Sequence, residues 1–326
     1  MVNTNSGIDK ISFHCSACGK CCNSAPLMSI SELFHHEKLF VGCLALRKVK
    51  LHGAGDSLMA GDSQYQLQAE EAQLLGDLHD AQLFKVGSSS PYYLSIMTQA
   101  MDFESLNRCP ALNDHYGCSI HDDRKPAVCS MVPFDSLYPD SLQNIVLLNR
   151  RFEENCIVSG QLDGYPLVFA NRQISDQSFR AALQKRRDDL ILEKQLWGQA
   201  VFQTVHKELF SNNLQAAKIP ADEGALLLSI IPVLQVLANL SESLRLRCLR
   251  YIDSQIGLLD DKIAQAIARK SASDKPTTRS FRSFKEHYLI LRQQLVSLKS
   301  NRPFATLDNP QQDAIEKYAI VLGANV

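Results

Sequence analysis

The sequence predicts an α+β protein in two parts: an irregular, metal-stapled cysteine-cluster domain over residues 1–172, then an α-helical, bundle-like domain over residues 173–326. Three observations predict this. Nine of the ten cysteines precede residue 172. The first half is rich in turn-forming stretches and poor in long helical periodicity. From Ser175 onward, apolar residues recur at helical spacing among charged ones.

Composition limits the function classes. The 326 residues carry 34 Lys and Arg against 35 Asp and Glu, so no global basic field exists to hold nucleic acid or anionic lipid. A protein substrate or partner is expected, and neither nucleic acid nor a membrane. The polar start MVNTNSG lacks the order of a secretory signal, which predicts a cytoplasmic location. Cysteines in that reducing compartment indicate metal binding or redox chemistry rather than disulfides.

Short elements are predicted in the first half. Helices are expected over residues 29–40, where Ser29 can cap and a glutamate follows three residues later, and over residues 69–84. Strands are expected at residues 92–97 and 145–148, because both runs are rich in β-branched or aromatic residues.

The second half of the sequence is predicted to be helical. They are predicted over residues 176–210 (one long helix or two joined), 222–240, 241–269 and 282–299. Pro232 is expected to kink the second of them, and the polar segment 271–278 separates the last two.

The strongest local signal is CSACGKCC, four cysteines within eight residues. Two residues between cysteines let a tight turn aim both sulfurs at one centre, and Gly19 supplies the backbone freedom. Cys15, Cys18 and Cys21 can therefore share one site. Neighbouring side chains diverge, so Cys22 is assigned to a second centre or to another corner of a cluster.

A second group of cysteines follows after a long gap: Cys109, Cys118, Cys129 and Cys156. The resulting eight thiols match two four-cysteine sites, which suits two zinc ions or two cubane clusters equally in number. The C-x2-C-x2-C spacing of the first motif and the proline directly after Cys109 slightly favour an iron–sulfur cluster. Paired C-x2-C motifs are instead typical of zinc sites. Both metals stay open.

Other cysteines, histidines and an arginine are predicted to have structural roles rather than to bind metal. Cys43 and Cys248 have apolar neighbours and are predicted to pack in cores rather than bind metal. His14 and His121 adjoin the cysteines, but packing or support of the ligands is the expected role. Arg124 is expected to tie down local backbone.

Four motifs occur in order along the first half: CSACGKCC from Cys15, CPAL from Cys109, CSI from Cys118 and RKPAVC from Arg124. Together they resemble the YkgJ cysteine-cluster family, whose domain is described as zinc- or iron-chelating. The resemblance covers residues from about 13 to 160. It implies eight metal ligands: Cys15, Cys18, Cys21, Cys22, Cys109, Cys118, Cys129 and Cys156.

The resemblance also implies an alternative activity. Flagellin lysine N-methylases that use S-adenosylmethionine carry a similar cysteine domain, so S-adenosylmethionine-dependent protein lysine methylation is the second hypothesis. The sequence contains no P-loop, no H-E-x-x-H and no G-x-S-x-G motif. The first hypothesis is therefore a metal-binding protein, with an iron–sulfur cluster or zinc, that serves as a redox or interaction module.

Overall fold

The structure is a computed structural model that describes residues 10–16, 18–87, 90–150, 156–210, 219–220, 224–297 and 309–324. Its helices and strands confirm the predicted α+β class. The chain divides into two units. Unit 1 comprises Met1–Lys20, Lys48–Ser95 and Asn113–Leu192, and unit 2 comprises Cys21–Arg47, Ile96–Leu112 and Glu193–Val326. This division differs from the predicted boundary at residue 172, because two segments of the first half belong to unit 2.

The strands are β1 (Lys10–Phe13), β2 (Val41–Lys50), β3 (Ser57–Ala60), β4 (Ser63–Gln66), β5 (Phe84–Lys85), β6 (Tyr92–Met101), β7 (Ile157–Ser159), β8 (Leu167–Ala170), β9 (Gln173–Ile174) and β10 (Leu226–Ser229). The helices are α1 (Ile30–His35), α2 (Ala69–Gln82), α3 (Ala127–Ser130), α4 (Gln143–Asn149), α5 (Gln177–Glu193), α6 (Gln199–Phe210), α7 (Ile231–Ala238), α8 (Glu242–Arg269), α9 (Lys275–Ser297) and α10 (Asn309–Val321).

Unit 1 contains a four-stranded sheet in the order β7-β1-β8-β9. Strand β1 pairs antiparallel with β7, with Phe13 opposite Ile157. One apolar cluster covers this sheet, and in it the ring of Phe179 makes edge contacts with Phe13 and Phe134, with centroids 5.9 and 5.6 Å apart. The sheet thus fixes where the first cysteine motif begins.

Residues 145–148 form part of helix α4, so the predicted strand is wrong. A strand would point Ile145 and Leu147 to the same face. In the structure, Ile145 packs in one apolar cluster with Leu75, whereas Leu147 packs in another with Phe134. Only helical spacing directs these two side chains into separate clusters.

The other helices and strands predicted for the first half are present, but they begin or end at different residues. Ser29 caps α1 through a capping box, but the helix ends at His35, because the chain then turns and buries Phe40 at the start of β2. Helix α2 spans Ala69–Gln82, and β6 covers the predicted strand and continues to Met101.

The predicted helix over residues 222–240 is partly wrong. Residues 221–223 lie outside the described part of the chain, and Leu226–Ser229 form strand β10. This strand pairs antiparallel with β2, with Leu228 opposite Leu44. Pro232 lies in the first turn of α7, where its missing N–H costs nothing, so it starts a helix rather than kinking one.

The long helices of the second half are confirmed. A π-helical segment, Lys194–Gly198, joins α5 to α6, and Ser241 caps α8. Helix α9 begins at Lys275 rather than at residue 282, so much of the predicted polar separator is helical. Residues 298–299 of the predicted last helix lie outside the described residues.

Helices α7, α8 and α9 pack together in unit 2. Helix α9 buries one stripe at spacings of three and four residues: Phe281, Phe284, Tyr288, Leu291 and Leu295. Among the described helices, none is both long and apolar enough to cross a membrane.

Candidate metal-binding cysteines

The ten cysteines fall into two classes of environment. Cys43 and Cys248 are completely buried, and burial raises the pKa of each thiol to about 12. They are core residues, as predicted. The remaining eight are more accessible as a group: Cys15 and Cys21 are exposed, and four others are half-buried. All ten lie in the described part of the chain, and none forms a disulfide.

In unit 1, the β1–β7 pairing brings the first motif beside Cys156. The backbone N–H of His14 donates to the carbonyl oxygen of Cys156 over 3.0 Å. Cys15 follows at once and is exposed, whereas Cys156 is buried in the apolar cluster. Two segments far apart in sequence therefore place a thiol at the same end of the sheet.

The turn after Cys18 rests on a second loop of unit 1. Gly19 has a φ of +74°, and a Cβ built on it would lie 2.9 Å from Cδ1 of Tyr116. The Asn113 side-chain oxygen accepts the N–H of Gly117 over 2.8 Å, which closes the loop just before Cys118. The segments that carry Cys18 and Cys118 are therefore in contact.

Cys129 lies in α3, a four-residue helix whose first turn follows Pro126. Val128 and Met131, on either side of Cys129, pack against the apolar cluster that contains Cys156. Unit 1 thus gathers five of the predicted ligands at backbone level: Cys15, Cys18, Cys118, Cys129 and Cys156.

Unit 2 contains the other three predicted ligands. Cys21 and Cys22 belong to a one-turn 3-10 helix, and the N–H of Cys109 donates to the carbonyl oxygen of Cys22 over 2.8 Å. A cavity of about 410 Å³ starts directly beside this pair, and its lining includes Asn23 and Arg108. The residues that follow Cys22 and precede Cys109 therefore line a cavity with both polar and apolar walls.

The two candidate metals differ in the sulfur spacing that they require. A tetrahedral zinc ion with Zn–S bonds near 2.3 Å would hold its sulfurs about 3.8 Å apart. Among the described residues of either unit taken alone, no three cysteine sulfurs lie within 4.8 Å of one another. In a cubane cluster each thiolate binds a different iron, so the sulfurs stand farther apart.

The flanking residues predicted for supporting roles lie at the surface. His14 is exposed and its ring is 5.6 Å from that of Tyr165, and His121 is exposed. Arg124 has a φ of +47° in the bend between Cys118 and Cys129, so the backbone there is left-handed.

Sequence reasoning missed Tyr116 and Asn113, which shape the loop before Cys118. The available signal was the spacing of Asn113 and Gly117, two residues that favour turns.

Comparison of the chain with protein-family models, with curated proteins and with solved structures finds no match. The resemblance to the YkgJ family, the ligand set that it implies and the S-adenosylmethionine-dependent methylation hypothesis all stay predictions.

Proposed function

We propose that this protein binds iron–sulfur clusters through the eight cysteines other than Cys43 and Cys248, and that it acts as an electron-transfer or redox module. The observation that carries the proposal is backbone convergence. The His14–Cys156 hydrogen bond in unit 1 and the Cys22–Cys109 hydrogen bond in unit 2 bring together cysteine segments that are far apart in sequence.

Accessibility supports the same assignment. A metal ligand must be a thiolate, and a thiol that can ionise needs solvent or charge nearby. Burial opposes ionisation at Cys43 and Cys248, whose pKa values are raised to about 12. Cys15 and Cys21, by contrast, are exposed to solvent.

The loop-rich character of the cysteine segments also supports a metal. Between Cys109 and α3 the chain forms turns and bends with isolated bridges rather than helices or strands. Metal binding to thiolates contributes on the order of 10 kcal/mol in small domains, which is enough to order such segments. Iron–sulfur is favoured over zinc because of the C-x2-C-x2-C spacing of the first motif and the proline that follows Cys109.

The test is anaerobic purification followed by iron, zinc and acid-labile sulfide analysis and visible absorption. Cys15→Ala and Cys21→Ala are the test variants, because both side chains are exposed and their truncation removes little packing. Cys43→Ala and Cys248→Ala are the matched controls, since these thiols are fully buried.

The wild type and both controls are expected to carry iron and sulfide in equal amounts, with charge-transfer bands that the test variants lose. A colourless, zinc-loaded protein would refute the cluster and leave a structural zinc protein. Equal metal in the test variants and the wild type would refute metal binding by these cysteines.

A further inference from the structure

A groove lies in unit 2, where helix α8 turns into α9. Lys270 ends α8 in a left-handed conformation with a φ of +55°, and a 3-10 turn over Ala272–Asp274 leads into α9. The turn and the adjoining helix faces enclose a groove of about 660 Å³. Its lining consists of Ala266, Ile267, Lys270, Ser271, Asp274, Lys275, Thr278, Arg279 and Arg282.

Four of the lining residues are exposed cations: Lys270, Lys275, Arg279 and Arg282. None of them makes an ion pair with another residue in the described part of the chain. Cations farther along α9 are paired instead, as Lys285 is with Asp260 at 2.5 Å and Arg292 with Asp253 at 2.6 Å. Along α9, the lysines and arginines without an ion pair in the described part of the chain are therefore those that line the groove.

Three of these cations form one row. Positions 275, 279 and 282 are spaced by four and three residues, so they share one face of α9. The row spans about 10 Å along the helix axis at 1.5 Å per residue. Lys270, at the end of α8, lines the same groove.

The negative charge of the acidic residue in the lining, Asp274, is already paired with a positive one. Asp274 is 2% exposed, and its carboxylate accepts hydrogen bonds from the Ser105 hydroxyl and from the Arg269 guanidinium, the latter at 2.8 Å. These bonds hold the pKa of Asp274 below its usual range, so the carboxylate stays ionised and engaged. The four exposed cations are left to face solvent.

We propose that this groove binds an oligophosphate anion, a ligand with two or three linked phosphate groups. Lys and Arg bind phosphate oxygens through charge-assisted hydrogen bonds, and a row of about 10 Å suits a short chain of phosphates. The lining has no aromatic side chain on which a nucleic-acid base could stack, so single-stranded nucleic acid is disfavoured. This site stands independently of the cysteines.

The experiment is isothermal titration of the full-length chain with inorganic tripolyphosphate, pyrophosphate, orthophosphate, a nucleoside triphosphate and an oligothymidylate at constant ionic strength. Arg279→Gln combined with Arg282→Gln is the test variant. Arg292→Gln is the control, because this arginine lies on the same helix but pairs with Asp253. Circular dichroism and thermal unfolding check that each variant folds.

Tripolyphosphate is expected to bind more tightly than orthophosphate, and its affinity is expected to fall about 100-fold in the test variant, or about tenfold for each of the two arginines. The control should bind like the wild type. A nucleoside triphosphate that matches tripolyphosphate indicates recognition of the phosphates alone, whereas tighter binding indicates a nucleotide ligand. Equal binding by the test variant and the control, or tighter binding of an oligothymidylate with the same sensitivity, would overturn the proposal.

Discussion

The contact between Gly19 and Tyr116 gives a sharp test of how the cysteine loops are positioned. In Gly19→Ala, the new Cβ would lie 2.9 Å from Cδ1 of Tyr116, closer than real Cβ contacts allow. The φ of +74° adds a left-handed backbone penalty of about 1–2 kcal/mol for alanine. Cδ1 lies only two bonds from the Cβ of Tyr116, so moving it away displaces the loop that carries the ring.

Gly55→Ala is the matched control. Gly55 lies in the same unit, has a φ of +84°, and has open space where a Cβ would be added. Both variants should therefore lose about 1–2 kcal/mol of unfolding free energy from the backbone alone. Only Gly19→Ala should shift the segment that carries Cys18 against the segment that carries Cys118.

Metal affinity is the readout that separates the two variants. Loss of groups that orient metal ligands typically lowers affinity about 10- to 100-fold, and we expect a loss of that size for Gly19→Ala only. Chelator competition measures affinity, and urea unfolding of the metal-free protein measures stability. Adding Tyr116→Ala to Gly19→Ala should restore most of the affinity. Equal metal affinities in the Gly19→Ala and Gly55→Ala variants would refute the positioning role of this contact.

Three further predictions concern unit 2. In Gly42→Ala, the added Cβ would lie 2.1 Å from the Tyr251 hydroxyl oxygen, so we expect the free energy of unfolding to fall by about 1–3 kcal/mol. Adding Tyr251→Phe should restore part of this loss, and urea unfolding of the two single variants and the double variant checks it. Gly257→Ala, within α8 and with open space around the new Cβ, should stabilise the protein by about 1 kcal/mol in thermal unfolding. Burial raises the pKa values of Cys43 and Cys248 from 9.0 to about 12, so their stabilising effect is complete below pH 9 and is lost as the pH rises toward 12. Stability should fall by about 1.4 kcal/mol per pH unit per thiol in this window, and the double alanine variant should show a shallower slope in urea unfolding at each pH.

Elements set by local signals were predictable from the sequence. The capping box at Ser29 acts within four residues, and Ser241 caps α8 in the same local way. The buried stripe of α9 follows from residue spacing alone, which is why a helix was expected there. Such features need no knowledge of the partner element.

Short apolar runs were not predictable, because their partners decide their conformation. The run over residues 226–229 becomes a strand by pairing with β2, and the run over residues 145–148 becomes a helix that divides its side chains between two clusters. Length and composition are similar in both runs, so periodicity alone cannot separate a buried strand from a buried helix turn.

For the candidate site too, the features set by nearby residues were predictable and the contacts between distant segments were not. Cysteine spacing predicted the ligand set, and apolar sequence neighbours predicted that Cys43 and Cys248 are core residues, which their burial confirms. It did not indicate that Cys156 meets the first motif through β-strand pairing, or that Cys109 meets Cys22 through a backbone hydrogen bond. Those contacts depend on tertiary structure, which no local pattern encodes.

The backbone conformation of the cysteine loops indicates which interactions stabilise them. Tyr116 and Arg124 adopt left-handed φ values of +60° and +47° on either side of Cys118, and such residues cost about 1–2 kcal/mol each. Strain of this kind persists only where surrounding interactions outweigh it. The loop hydrogen bonds of Asn113 contribute about 1 kcal/mol each, which roughly offsets the strain and leaves little surplus. Under the proposed function, metal binding on the order of 10 kcal/mol per site contributes far more than these hydrogen bonds, so the bound metal rather than the apolar core sets the stability of these loops.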